Sequence, residues 1–140
     1  MGLRRKARIL AFQALFSWEI NHENVSELCN FTWLENDKKE NLSEEITTFA
    51  VLLTTGTIEN IREIDEEIRA KLVHWDFSRL NKVDLAILRM SIYSLLFQKS
   101  IPASVTINEA VDIAKDYGSD DSYRFVNGVL DSIRKTHGLN

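Results

Sequence analysis

Residues that interrupt helices are scarce in this chain, and this scarcity limits the folds that it can adopt. The 140 residues include one proline and five glycines, too few to supply the many tight turns of a β-sheet protein. Residue types that favour helices are plentiful. Apolar residues recur at three- and four-residue spacing, and no segment shows the alternation of a strand. We therefore predict an all-α protein.

Helical patterns predict a compact bundle of six to seven helices that forms one domain over residues 1–140. Helices are expected from about Arg4 to Ile20, Val25 to Leu34, Asn41 or Ser43 to Leu72 with a bend near Gly56, and Asn81 to Gln98. The connection that precedes Asn81 divides the bundle into halves of about 1–72 and 75–140. The helix from Val83 is apolar on nearly every side, so we expect it in the centre of the bundle.

Two more helices are expected between residue 101 and the end of the chain. Pro102 and a capping box from Thr106 to Glu109 predict the start of the first helix. Gly118 suits a left-handed residue at its end, and Ser119 can cap the second helix.

The first helix carries two apolar stripes on almost opposite sides. One stripe comprises Ala7, Leu10, Ala11, Ala14 and Trp18, and the other comprises Ile9, Phe12, Phe16 and Ile20. One interpretation is a central helix with both stripes buried. The other is that Phe12 and Phe16 lie on a partly open face that binds a protein partner.

The chain lacks the sequence signals of several protein classes. Cys29 is its single cysteine, which allows no internal disulfide and fits a reducing compartment. No apolar run reaches the length of a membrane span, and no signal peptide follows the first charges. We therefore expect a cytoplasmic protein with no membrane contact.

Catalytic and metal-binding patterns are also missing. The three histidines are far apart in the sequence and have no partners at metal-ligand spacing. There is no glycine-rich phosphate loop and no nucleophile elbow. Asp65, Glu66 and Glu67 are interpreted as a solvated helix face. We expect no enzyme, no metal and no cofactor.

Positive charge is concentrated at the start of a chain whose net charge is −4. Arg4, Arg5, Lys6 and Arg8 lie within the first eight residues, which include no acid. In the first turn of a helix these cations oppose the helix dipole, so helix stability does not explain them. Contact with a nucleic-acid backbone would explain them, because each cation can release a condensed counterion. The other interpretation is a solvated N-terminus.

The last predicted helix places an aromatic residue at the edge of its buried face. Phe125 lies beside Gly128 and near Arg124, and Asn127 points away from the buried side. An unpaired base could stack on Phe125, while Asn127 could read a base edge or hold a phosphate. The alternative is that Phe125 covers the rim of the core and Asn127 is simply solvated.

Four blocks of the sequence resemble the NusB family of bacterial transcription antitermination factors. They comprise residues 4–8 with 13–18, residues 83–89, residues 107–111 with 114–115, and residues 125–131. The resemblance implies an all-α fold of two helical subdomains. It also implies binding of the boxA element of nascent ribosomal RNA jointly with NusE, a ribosomal protein, within an antitermination complex that keeps RNA polymerase processive. Some family members are homodimers, and the sequence leaves this open.

The resemblance further implies roles for individual residues. The implied RNA-binding residues are Arg4, Arg5, Lys6, Arg8, Asp121, Ser122, Arg124, Phe125 and Asn127, and the implied NusE-binding residues are Phe16 and Asp84. Two positions depart from the family pattern: Ile9 replaces a frequent acid, and Phe16 replaces a common tyrosine. The competing hypothesis is a helical protein–protein scaffold without specific RNA recognition.

Overall fold

The computed structural model describes residues 2–31 and 42–140. Within these ranges the chain forms seven α-helices and one 3-10 turn, and it contains no β-strand. The helices are α1 (Leu3–Asn21), α2 (Val25–Leu28), α3 (Glu44–Glu59), α4 (Ile61–Ala70), α5 (Lys82–Phe97), α6 (Ala103–Tyr117) and α7 (Ser122–Thr136), and the turn is Phe77–Arg79. The predicted all-α class is confirmed. None of these helices is both long and apolar enough to cross a membrane.

Helix α5 runs through the centre of the bundle, as its apolar pattern predicts. It packs against α1, α3, α4, α6 and α7, and every residue from 84 to 95 is buried. Asn81 begins the helix, because its Oδ1 accepts hydrogen bonds from two backbone N–H groups of the first turn, at 2.9 and 3.2 Å. The hydrophobic core of the described residues includes side chains from near both ends of the chain. The division into halves of 1–72 and 75–140 stays a prediction.

Helix α1 packs against α3 and α5, and its two apolar stripes differ in burial. In the first stripe the residues from Ala7 to Ala14 are buried. In the second stripe Phe12 is 4% exposed, Phe16 is half-buried and Ile20 is 52% exposed. The second stripe therefore opens toward the C-terminal end of α1.

The long helix predicted up to Leu72 is divided into α3 and α4. Ser43 caps α3, since its Oγ accepts a hydrogen bond from a backbone N–H of the first turn at 3.2 Å. The helix is interrupted at Asn60, whose backbone leaves helical geometry (φ −111°, ψ 23°). The Nδ2 of Asn60 donates to the Gly56 carbonyl oxygen at 2.8 Å. Gly56 itself lies inside α3, where the Tyr93 ring occupies the space that a Cβ would need. The predicted bend is thus four residues too early.

The second predicted helix is shorter than expected within the part of the chain that can be described. Helix α2 covers Val25–Leu28, and its start is fixed by the side chain of Asn24, which accepts a hydrogen bond from the Ser26 N–H at 2.9 Å. The rest of that predicted helix beyond residue 31, and the alternative cap at Asn41, lie outside the described residues.

Helix α6 begins three residues before the predicted capping box, so that prediction is wrong. The helix starts at Ala103, directly after Pro102. The Ala103 N–H donates to the carbonyl oxygen of Asn140 at 2.9 Å, so the end of the chain satisfies a free donor of this helix. Thr106 is buried inside α6, and its Oγ1 has no hydrogen-bond partner. Glu109 binds arginine side chains of α1 instead of capping α6.

The corner between α6 and α7 also differs from the prediction. Gly118 is extended (φ −93°, ψ −172°) and not left-handed. A glycine is needed there because a Cβ would lie 2.5 Å from the Cβ of Ser122 and 2.8 Å from the carbonyl oxygen of Ala114. Ser119 does not cap α7 with its side chain. Its backbone N–H donates to the Oγ of Ser122 at 2.9 Å, which closes the corner.

The side chain of Arg89 joins three helices in the interior. Its Nε and Nη2 donate to Oδ1 and Oδ2 of Asp65 on α4, and its Nη1 donates to Oε1 of Glu19 on α1, all at 2.9 Å. Burial alone would lower the pKa of Arg89, but the two carboxylates raise it. Asp65 is 9% exposed, so the predicted solvated face is wrong at this residue. We call Arg89, Asp65 and Glu19 the buried arginine cluster.

Candidate nucleic-acid and partner interface

The four cations at the start of α1 differ sharply in exposure. Arg4 and Lys6 are exposed, Arg5 is half-buried and Arg8 is 5% exposed. The guanidinium of Arg4 lies 4.0 Å from the ring centroid of Phe49 on α3, a cation–π contact that orients the side chain. The charges of Arg4 and Lys6 are therefore the ones that an approaching polyanion meets first.

Two carboxylates of α6 hold the side chain of Arg5. Its Nε donates to Oε2 of Glu109, and its Nη2 donates to Oδ2 of Asp112 at 2.9 Å. Burial alone would lower the pKa of Arg5, but the hydrogen bonds and charges of both acids raise it. The Asp112 side chain is 50% exposed, so water and ions reach this group. We call Arg5, Glu109 and Asp112 the surface arginine cluster.

Arg8 is buried, which contradicts its predicted contact with RNA. Its Nη1 lies 3.7 Å from Oε1 of Glu109 on α6, and its guanidinium lies 5.4 Å from the ring centroid of Phe49 on α3. Burial lowers the pKa of Arg8 despite the neighbouring charge of Glu109. A guanidinium packed among three helices has no open side for a phosphate. We therefore remove Arg8 from the set of candidate RNA-binding residues.

Phe125 lies in the wall of a groove near the starts of α5 and α7. The groove has a volume of about 410 Å³ and is lined by Trp75, Arg79, Leu80, Asn81, Asp84, Ser119, Asp121, Ser122 and Phe125. The Phe125 ring is half-buried against the core, and its centroid lies 6.3 Å from that of Trp75. Two aromatic rings and several polar groups thus share one surface, which we call the aromatic groove.

The other predicted RNA-binding residues of α7 and its cap are exposed, with one exception. Arg124, Asn127 and Asp121 reach solvent, and Arg124 Nη1 lies 3.7 Å from the Asp121 carboxylate. Ser122 is 1% exposed, because its hydroxyl group is folded into the corner with Ser119. Ser122 therefore shapes the corner and is removed from the set of direct contacts.

Unlike Phe16, Asp84 is part of the lining of the aromatic groove. It is 7% exposed, and its Oδ1 has no hydrogen-bond partner. Burial raises the pKa of Asp84, and a hydrogen bond from the Ser122 side chain opposes this shift only in part. The acid to which the resemblance assigns NusE binding is therefore almost fully buried in the free chain. Asp84 therefore has little exposed surface with which to contact a partner.

The two predicted partner-binding aromatics of α1 lie in different environments. Phe12 belongs to the core, where its ring centroid is 5.1 Å from that of Tyr117 on α6. The prediction of an open position is wrong for Phe12, because α6 covers it. Phe16 packs against the core but is only half-buried, and Ile20, one turn further along, is exposed. Phe16 thus remains a candidate partner contact.

Three residues that shape these surfaces were not identified from the sequence. Trp75 is 64% exposed in the connection between α4 and α5, and Glu109 and Asp112 pair with the cations of α1. The spacing of these two acids, three residues apart on one helix, places them on the same face and could have indicated a binding site for arginine. A tryptophan in a polar connection is likewise a signal, since tryptophan is on average highly buried.

Potential metal ligands are dispersed in the described part of the chain. Within residues 2–31 and 42–140, no three His, Cys, Asp or Glu side chains are arranged to hold a metal ion. Burial raises the pKa of the Cys29 thiol, which disfavours its thiolate form.

Fold and surface together define a small all-α protein with a cationic helix end and an aromatic groove. Residues 5–135 match the model of the NusB family. The chain is 57% identical over 133 residues to the transcription antitermination protein NusB of Treponema pallidum (strain Nichols), and the match covers 95% of this chain and 93% of that protein.

Solved structures give the same result. T. maritima NusB superposes with a TM-score of 0.84 at 39% identity, covering 94% of this chain and 90% of that chain. A structure of antitermination factors NusB and NusE in complex with dsRNA matches with a TM-score of 0.84 at 31% identity, covering 97% and 98% of the two chains. This chain belongs to the NusB family, and the resemblance seen in the sequence is confirmed.

Proposed function

We propose that this chain is a transcription antitermination factor that binds RNA and performs no catalysis. Together with NusE, it binds the boxA element of nascent ribosomal RNA in the cytoplasm and keeps RNA polymerase processive. The observation that carries this proposal is the match over 97% of the chain to antitermination factors NusB and NusE in complex with dsRNA. The exposed cations and the aromatic groove of this chain supply the matching chemistry.

Sequence-independent attraction comes from exposed cations. Arg4 and Lys6 at the start of α1 and Arg124 on α7 reach solvent. Contacts of this kind orient RNA and make its affinity depend on salt, but they do not read its sequence. Arg5 joins them when a phosphate replaces one of its carboxylates, since its pair with Asp112 is open to water.

Base recognition takes place at the aromatic groove. The ring of Phe125 forms part of its wall, Asp121 lies at its edge, and Asn127 is exposed on the same helix. Only unpaired bases can stack on a side chain and present their edges to it, so the preferred ligand is single-stranded. Amide and carboxylate groups at this place can distinguish base edges by their donors and acceptors.

NusE binds at a surface that includes Phe16. The ring is half-buried, and its surroundings open toward the exposed Ile20, as an apolar contact with a protein requires. Asp84 contributes less than the resemblance implies, because it is 7% exposed. RNA that contacts both proteins couples their binding, so each increases the affinity of the other by the same factor.

The test is fluorescence anisotropy with three labelled RNAs of equal length: boxA-like, scrambled, and double-stranded boxA-like. Each is titrated with this protein, with and without NusE. We expect selective binding of the single-stranded boxA-like RNA that becomes tighter when NusE is present. Equal, weak and salt-sensitive binding of all three RNAs, unchanged by NusE, would instead support a helical protein–protein scaffold.

A further inference from the structure

The most exposed large aromatic side chain of the aromatic groove is Trp75, which no sequence pattern assigns to RNA binding. It is 64% exposed, whereas Phe125 is half-buried. Leaving an indole in water forgoes the free energy that burial of such a side chain would provide. Trp75 therefore contributes little to the core, and its position calls for another explanation.

The backbone around Trp75 is held in place by its neighbours. The side chain of Asp76 accepts a hydrogen bond from the Ser78 N–H at 3.0 Å and caps the 3-10 turn. The next residue, Phe77, is held under the guanidinium of Arg69, 4.4 Å from its ring centroid. Trp75 thus directly precedes an anchored turn, which lowers the entropy that a ligand must remove on binding.

The geometry of the two rings decides which of them can accept a base. Their centroids are 6.3 Å apart and their planes are inclined by 39°, the arrangement of rings that pack on each other. A flat base stacked on both sides would need parallel rings about 7 Å apart, twice the ordinary contact distance of carbon atoms. The base therefore stacks on the free face of Trp75, and Phe125 supports the indole from the other side.

Polar groups suited to an RNA strand surround this face. Arg79 lies in the groove lining and is exposed, so its charge is available to a phosphate. The Oδ1 of Asn81 is engaged with the start of α5, which leaves its Nδ2 as a donor toward the groove. The carboxylate of Asp121 is an acceptor at the same edge. Cation, donor and acceptor thus accompany an exposed aromatic face.

We infer that Trp75 is the stacking platform for one unpaired nucleobase of the bound RNA, and that Phe125 is a positioning residue beneath it. This inference rests on the proposed function, since it names the residue on which RNA stacks. Stacking tolerates any base, because every base has a π-face. Trp75 therefore contributes affinity to both boxA-like and scrambled RNA, and the surrounding polar groups contribute discrimination.

The experiment measures binding of the boxA-like and scrambled single-stranded RNAs to variants of the full chain. Trp75→Ala should weaken the binding of both RNAs by about 5- to 150-fold, the range that one stacked base supplies. Trp75→Phe should recover most of this loss. Val73→Ala is the matched control, because Val73 is 79% exposed in the same connection. RNA should also quench tryptophan emission in the wild type by more than in Trp75→Phe.

Phe125→Leu separates the two roles, since leucine preserves apolar support but offers no π-face. It should weaken binding by less than Trp75→Ala, and a larger loss would reverse the assignment of platform and support. Thermal unfolding of each variant confirms that only folded protein is compared. If Trp75→Ala binds both RNAs with wild-type affinity, the inference is overturned, while a preference for the boxA-like RNA would still support the proposed function. If the wild type binds both RNAs equally and Trp75→Ala weakens both, the proposed function is overturned and the stacking role of Trp75 stands.

Discussion

Arg89 and Arg5 both bind carboxylates on other helices, and these two clusters differ in their access to water. In the buried arginine cluster the Arg89 side chain is 5% exposed and that of Asp65 is 13% exposed. In the surface arginine cluster the Arg5 side chain is 25% exposed and that of Asp112 is 50% exposed. Both arginines use Nε and a terminal nitrogen to donate hydrogen bonds to acids of another helix.

This difference in hydration separates a fixed contact from an exchangeable one. Removing one partner of a desolvated pair leaves an uncompensated charge inside the protein, so the Arg89 pair has no alternative arrangement. An exposed pair contributes at most about 1 kcal/mol, because water solvates both partners when they separate. A phosphate can therefore replace Asp112 at Arg5 with little loss of stability. The same pairing is structural in the interior and available for binding at the surface.

The largest effect is expected from Arg89→Met, which breaks the buried cluster. The change leaves Asp65 buried without its bidentate partner and should lower the free energy of unfolding by about 3–5 kcal/mol. Urea unfolding followed by circular dichroism measures it. Arg62→Met is the control, because Arg62 is exposed on the same helix as Asp65 and its loss should change stability by about 0.5 kcal/mol or less. Similar stability of the two variants would refute the distinction between the clusters.

Asp84 extends the comparison to a buried acid that has no arginine partner. Its pKa is raised mainly by burial, so the folded state binds its proton more tightly than the unfolded state does. The stabilisation is complete below the unfolded pKa, about 3.9, and is lost as the pH rises through the folded pKa. Asp84→Asn should therefore be more stable relative to wild type at pH 7 than at pH 4, by on the order of 1 kcal/mol. Urea unfolding at both pH values provides the measurement. An equal difference in stability at both pH values would show that folding does not raise the pKa of Asp84.

Local patterns were sufficient to predict the helices whose environment is uniform along their length. The apolar surface of α5 on all sides predicts its central place, and Asn81 marks its start. The start of α6 could not be predicted in this way, because the carbonyl oxygen of Asn140 satisfies the Ala103 N–H from the far end of the chain. The break at Asn60 was missed for a related reason: its side chain bonds the Gly56 carbonyl oxygen, which ends α3 without proline or a left-handed glycine.

The candidate site shows the same limit more strongly. Charge placed Arg4, Arg5 and Arg8 in one group. Only tertiary contacts distinguish them: Arg4 lies over Phe49 of α3, whereas Arg5 and Arg8 contact Glu109 of α6, more than 100 positions away in the sequence. A helical pattern shows which residues share a face and does not show what covers that face. Trp75 could not be identified from the sequence, because its place in the aromatic groove depends on α7 bringing Phe125 next to it.

Exposure should also decide which N-terminal cations take part in RNA binding. The double variant Arg4→Ala, Lys6→Ala should reduce the salt dependence of binding by about 1.4 log units per log unit of salt, because two contacts with single-stranded phosphates are lost. Arg8→Met removes a charge that is buried and should leave this slope unchanged. Anisotropy titrations across a series of salt concentrations give the slopes. An equal reduction in both variants would mean that net charge, and not exposure, controls binding.

The smallest effect is expected from Asp112→Asn, which tests whether the surface cluster exchanges its partner. The amide removes the negative charge that competes with a phosphate for Nη2 of Arg5, so RNA affinity should increase by up to about five-fold and the salt slope by up to about 0.7. Asp116→Asn is the matched control, since it removes an equal charge from an exposed position on α6. A gain confined to Asp112→Asn identifies release of Arg5 as the cause. An equal gain in both variants would show that the negative charge of α6 repels RNA in general and that the ion pair has no specific part in binding.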